Sequence, residues 1–292
     1  MTTNMNFSFT RLMAVMKRDM MENWKTNLYR LIGCYTGLAL ALIFGMKGIE
    51  RSIEYNVPGD LYVQFCEKIY SIIIFATFFY LLICASRIME VMNTKNKRIS
   101  YMMLPATISE KFVSRVIYVV IISLVIWFVA LFFGELTRIA LAPLFDVPEE
   151  LYRFSLFDIM SVSSENSIRF NPGVYGDTAS PEFVYYLFAA SNILWSHSVY
   201  ILGGTYFRKN PFVKTWGIMM ALFFIAAYIW INMISRGLLS FLNLNESDIW
   251  MNIRNISITI SIISLAFTVI NWVLSYHLFR NSQITERKLF RR

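Results

Sequence analysis

Cysteine and histidine are scarce in this chain, and charge is missing from long stretches of it. The three cysteines, Cys34, Cys66 and Cys84, form no CxxC pair, so neither a disulfide framework nor a thiolate metal site is expected. They read as small buried or interfacial side chains. Two histidines, His197 and His277, are too few for a histidine-based metal centre. No HExxH, GxSxG or GxxxxGK(S/T) motif occurs, which argues against a metalloprotease, a serine hydrolase and a chain that hydrolyses ATP by itself. No catalytic, cofactor-binding or metal-binding residues are therefore assigned.

Charged residues make up 16% of the chain against 57% hydrophobic ones, with a mean hydropathy of +0.51, too apolar for a soluble domain of 292 residues. What the chain has is six long apolar segments, at about 31–46, 69–86, 117–133, 183–207, 216–235 and 256–279. Each reaches or approaches the roughly 20 residues that a helix needs to cross a ~30 Å hydrocarbon core. The first is the shortest and would borrow Leu28 and Tyr29. Some thirty polar and amphipathic residues precede it, so no cleavable signal peptide is expected.

The ionisable residues between the segments set an orientation. The N-terminal stretch, second and fourth loops and C-terminal stretch hold 19 Lys and Arg against 5 carboxylates, net +14. The opposite side holds 8 against 14, net −6, and the two balances sum to the chain's +8. The 19-to-8 ratio follows the positive-inside rule with an even number of spans and both termini in the cytoplasm. The basic balance is thus a matter of topology and gives no reason to expect a nucleic-acid partner. The expected fold class is an all-α integral membrane protein of six transmembrane helices. Residues 1–30 would form a cytoplasmic amphipathic helix, and 31–292 the six-helix transmembrane domain.

In that first stretch, Met5, Phe9, Leu12, Met13, Met16, Met20 and Trp24 share one helical face and Arg11, Arg18, Glu22 and Lys25 the other. Such a helix would lie in the membrane interface, where two uses stand open: it only anchors the bundle, or its polar face also docks a soluble subunit. The second loop begins with a polar, turn-forming stretch from Met92 to Arg98. An apolar element bearing Tyr101, Met102, Met103 and Leu104 follows and is broken by Pro105. Thr107 and Glu110 have capping-box spacing, which would start the third membrane helix and hold the exposed apolar element rigidly at its mouth. Exposed apolar residues there suggest a binding surface or a second segment lying on lipid. Asn210 and Pro211 would start the fifth span, and Ser180 and Pro181 the fourth.

Inside the spans, Gly33, Gly37, Ala41 and Gly45 repeat small residues every fourth position, a pattern suited to helix packing within the subunit or across a dimer. The sixth span carries a polar stripe of Ser257, Ser261, Ser264, Thr268, Asn271 and Ser275, and the fourth has Asn192, Ser196 and His197. Two uses stand open for these faces: helix packing with hydroxyls bonded to backbone carbonyls, or the lining of a pathway through Asn192, Ser196, His197, Ser264, Thr268 and Asn271. The third loop, 135–182, is acidic and long enough to hold short interfacial helices near Ala142–Phe145 and Phe154–Phe157. The fifth loop, 237–252, would dip into the outer leaflet.

An amphipathic leading helix, six spans, an elaborated second loop and the segments 104–112 and 204–215 together make the chain resemble the membrane subunit of an ABC-2 type transporter. That resemblance implies a permease in the bacterial cytoplasmic (inner) membrane that forms the substrate path. It also implies two partners, a separate ABC ATPase subunit and a second permease subunit, within the lipid bilayer. The coupling contact to the ATPase would fall on Tyr101, Met102, Met103, Leu104, Pro105, Thr107, Glu110 and Lys111. The long third loop departs from the commonest arrangement, in which the outer elaboration precedes the sixth span. A secondary transporter, which would be expected to show buried charges or broken helices at mid-membrane, and a non-transporting sensor or immunity component are the alternatives.

Overall fold

The structure, a computed structural model, describes residues 7–55, 61–145, 147, 149–152, 181–235 and 249–282. Among these residues the regular structure is helical throughout, without a strand. Its α-helices are α1 (Phe9–Glu22), α2 (Trp24–Glu54), α3 (Leu61–Ser86), α4 (Lys95–Met102), α5 (Ile108–Ile117), α6 (Ser123–Leu141), α7 (Pro181–Tyr206), α8 (Pro211–Ser235) and α9 (Ile249–Arg280). Among the described residues, five helical stretches are long and apolar enough to cross a membrane: Trp24–Arg51, Lys68–Met92, Ile108–Leu144, Pro211–Met233 and Arg254–Arg280. That set makes the chain a multi-pass membrane protein. The 26-residue α7 is long enough but is not among the five. Asn192, Ser196, His197 and Ser198 lower its hydropathy midway.

The helices overrun the apolar segments that announce them. α2 extends beyond 31–46 at both ends and has 31 residues, about 46 Å at 1.5 Å per residue. The break before it falls at Asn23 (φ −105°, ψ 13°), whose side-chain amide donates to the Asp19 carbonyl at 2.8 Å. The boundary expected at residue 30 therefore lies inside a helix. The third span also continues well beyond 133. It is assembled from α5, a π-helical turn at Tyr118–Ile122, and α6. Wide turns of this kind interrupt the regular hydrogen-bond ladder and mark positions where a helix bends. Pro181 and Pro211 stand at the first positions of α7 and α8 as their spacing predicts. Asn210 departs from an ordinary N-cap: its φ is +49°, the left-handed region that asparagine tolerates better than most residues. A 3-10 turn covers Ala142–Leu144, where a short helix was expected. The expected helix at 154–157 and the loop 237–252 lie outside the described residues apart from the start of α9.

The chain divides into two compact units, Met1–Val15, Leu82–Val119 and Ala179–Arg292 in one, Met16–Leu81 and Val120–Thr178 in the other. In the second of these, α2 packs on α6. Leu38 meets Trp127, Ala130 and Leu131, while Leu42, Met46 and Ile49 form a separate core with Phe65, Cys66 and Ile69 of α3 and with Ala142. Tyr80 stacks on Trp127 with ring centroids 4.9 Å apart. Gly45 lets α3 approach, because a Cβ there would run into Ile69. Gly33 and Gly37 have open space above them, so the small-residue stripe is used for packing within the subunit at only one end.

In the other unit α9 lies along α7, and α8 packs on α7. Phe112 of α5 sits edge-on to Tyr276 and Phe279 of α9 at 5.5 and 5.4 Å. The polar stripe of α9 faces α7: Ser261, Ser264, Asn271 and Ser275 are buried, and Asn271 donates to the Ser198 hydroxyl at 3.0 Å. Ser261, Thr268 and Ser275 donate to the carbonyls of Ser257, Ser264 and Asn271, four residues back. Of the two uses the sequence allows this stripe, these contacts are those of helix packing.

Candidate functional site: the loop between α3 and α5

The loop is built from short, capped pieces. Thr94 accepts from the Lys97 amide at 3.3 Å and starts α4, so Lys95–Arg98 are helical, where the sequence suggests a solvated turn. The helix stops at Met102. Backbone bonds from Leu104 to the Tyr101 carbonyl and from Ala106 to the Leu104 carbonyl then fold residues 103–106 into a tight reversal around Pro105. Thr107 starts α5 with the reciprocal capping box its spacing predicts. Its hydroxyl accepts from the Glu110 amide at 3.2 Å, and its own amide donates to Glu110 Oε2 at 2.8 Å.

Glu110 does more than cap α5. Fully buried, its carboxylate also accepts from the backbone N–H of Ser8 at 2.6 Å and from Arg11 through Nε at 3.2 Å and Nη2 at 2.8 Å. The Ser8 amide lies one residue ahead of α1, among the N–H groups a helix start leaves without internal partners. One carboxylate thus joins the starts of two helices about a hundred positions apart, and charge-assisted bonds of this kind are among the stronger ones available. The hydrogen bond to Glu110 raises the Arg11 guanidinium's affinity for its proton above the ordinary value.

Two further clasps hold the loop. Lys111 Nζ donates to the Met102 carbonyl at 2.8 Å, closing the end of α4, while the Tyr101 hydroxyl donates to the Lys111 carbonyl at 3.2 Å. Arg115 Nε donates to the Ile88 carbonyl at 3.0 Å and its guanidinium lies 4.9 Å from the centre of the Tyr118 ring, at the start of the π-helical turn.

The coupling set expected from the sequence therefore splits in two. Tyr101 is not exposed: it is 1% accessible, and Glu110 and Lys111 are likewise buried. The cause is that each has a polar partner inside the clasp, which removes the cost of burying it. What faces outward is Met103, 74% exposed, with Pro105 and Ile108. Met102, Leu104 and Thr107 are half-buried.

The other candidate residues are scattered by comparison. Asn192 meets Ser264 at 3.5 Å in the α7–α9 seam, with Asn271 further along it, whereas Ser196, His197 and Thr268 are half-buried. Among the described residues no group of three or more His, Cys, Asp and Glu is placed to hold a metal. α1 also differs from its helical-wheel reading. Leu12, Val15 and Asp19 are buried, while Phe9, Met13 and Met20 form an exposed apolar stripe and Trp24, at the start of α2, is exposed as well.

Sequence reasoning missed Glu135 and Arg138, which fall in the stretch 135–182 assigned above to the third loop. Both are fully buried on α6, paired through Nη2 to Oε1 at 2.7 Å and Nε to Oε2 at 2.9 Å, with the guanidinium 5.3 Å from the Phe65 ring centre. Opposite charges three residues apart, inside apolar sequence that resumes with Leu136, Ile139 and Leu141, were the available signal. A scan against protein-family models finds no match for the chain, and searches of curated proteins and of solved structures find none either.

Proposed function

We propose that the chain is the membrane subunit of an ATP-driven transporter of the ABC-2 type, a permease that forms the substrate path and takes its energy from a separate ABC ATPase. In this reading α7 is the fourth span and brings the number to six, both termini are cytoplasmic, and α1 lies in the interface with its apolar stripe toward lipid. The membrane is the bacterial cytoplasmic one, and two permease subunits pair around the path. The observation that carries the reading is the apolar knob of Met103, Pro105 and Ile108, exposed between the second and third long helices. Through Glu110 and Lys111 the knob is braced to α1, α4 and α5 at once. A mobile loop would absorb a push, whereas a braced one passes it into α5 and on to the π-helical turn.

The test is to express the chain with the P-loop ATPase encoded by a neighbouring reading frame and measure co-purification and ATPase stimulation. Met103→Asp and Pro105→Gly lower both in this account. Unchanged values, or no such ATPase to express, refute it.

The buried pair of Glu135 and Arg138 favours a secondary transporter as the second reading, since ionisable groups buried in a membrane protein often serve ion coupling. Transport that persists without ATP and follows an ion gradient would select it.

A further inference from the structure

Where α7 hands over to α8, the unit formed by the α7, α8 and α9 helices contains a cleft of about 250 Å³ that is open along one side. Its walls come from Val199, Leu202 and Gly203 on α7, from Phe207 just beyond it, and from Ile218 and Met219 on α8. Gly203 decides its depth, because a Cβ there would collide with Thr215 and force the helices apart. The cleft is smaller than the ~300–1,000 Å³ of ordinary small-molecule pockets and lacks the convergent polar groups that orient such ligands. A single flexible hydrocarbon chain fits both its size and its chemistry.

Cationic residues adjoin its Phe207 wall. The turn Arg208-Lys209-Asn210-Pro211 runs past it, and Asn210 with φ +49° turns the chain into α8. Lys214, on the first turn of α8, places its ammonium 5.5 Å from the centre of the Phe207 ring, on the cleft wall. Arg208, Lys209 and Lys214 are exposed, and among the described residues no carboxylate pairs with them. α8 begins a stretch apolar enough to span the membrane directly after this turn, so the three cations stand at the depth of lipid headgroups.

We infer that the α7–α8 cleft is a binding site for an anionic phospholipid, one acyl chain lying between Val199, Gly203 and Met219 and the headgroup phosphate held by Arg208, Lys209 and Lys214. The site ties α7 to α8 through a lipid and does not depend on what the protein transports.

The test is native mass spectrometry of the purified full chain titrated with phosphatidylglycerol and, in parallel, phosphatidylcholine. Phosphatidylglycerol is retained preferentially, and Lys214→Ala weakens it about fivefold, the effect of one basic residue at a membrane surface. Val199→Trp fills the cleft without changing charge and also lowers retention. Met219→Trp fills the cleft from its α8 wall and stands in if Val199→Trp does not fold. Equal retention of both lipids overturns the inference. So does a folded Val199→Trp protein that keeps phosphatidylglycerol, which would reduce the effect to surface charge.

Discussion

Arg11 and Glu110 are 99 positions apart and meet through a guanidinium–carboxylate pair with its shortest contact at 2.8 Å, the carboxylate fully buried. Glu110 closes its own helix, receives the Ser8 amide at the start of another and takes the charge of Arg11, so removal of any one partner is felt by the others. Thr107→Ala, which removes the hydroxyl half of the capping box, is expected to cost about 1 kcal/mol of stability. Glu110→Ala costs more, because both helix starts lose an acceptor. Arg11→Ala destabilises the wild type and has a much smaller effect in a Glu110→Ala background. A double-mutant cycle on thermal midpoints in detergent measures the coupling, and additive effects would contradict the joint role.

A fully buried ion pair responds differently to losing one member than to losing both. Arg138→Met alone strands the Glu135 carboxylate and is expected to cost about 3–5 kcal/mol, whereas Glu135→Leu with Arg138→Met recovers most of the loss. Thermal unfolding of the two variants checks the difference. A double variant as unstable as the single one would mean that the pair's other neighbours, including Phe65, depend on its charge.

The glycines of α2 and α7 divide by what surrounds them. Gly204→Ala drives a Cβ into the Ser86 carbonyl and is expected to lower stability by about 1–3 kcal/mol. Gly37→Ala enters open space and is expected to leave the monomer unchanged or raise its stability by up to about 1 kcal/mol, since alanine favours helix. If the open end of the stripe pairs two subunits, Gly37→Leu lowers the dimer fraction in light scattering while the monomer stays folded.

Much of the fold was legible because burial in lipid leaves a blunt compositional trace. Five helices recover five of the six apolar segments, and the two prolines and the capping box mark helix starts where their spacing places them. α7 was the harder case, because the residues it uses to pack on α9, Asn192 and Ser198, are those that lower its hydropathy. The site was only half legible. Local spacing shows that Glu110 reaches back to Thr107, but nothing local shows that Arg11 will arrive from the far end of the chain. Tyr101 reads as exposed because its partner, the Lys111 carbonyl, is a backbone atom with no sequence signature. Glu135 and Arg138 were misplaced for a related reason: each hides the other's charge from the membrane, which hydropathy counted residue by residue does not register.

The central claim is that the knob carrying Met103, braced from behind by Glu110, meets an ATP-hydrolysing partner. The most direct measurement replaces Met103 with a photo-crosslinking amino acid in the native membrane and identifies the adduct by mass spectrometry. The account predicts an adduct with a protein that contains a P-loop, lost when Pro105→Gly releases the knob. An adduct only with lipid, or with a protein that has no P-loop, would contradict it.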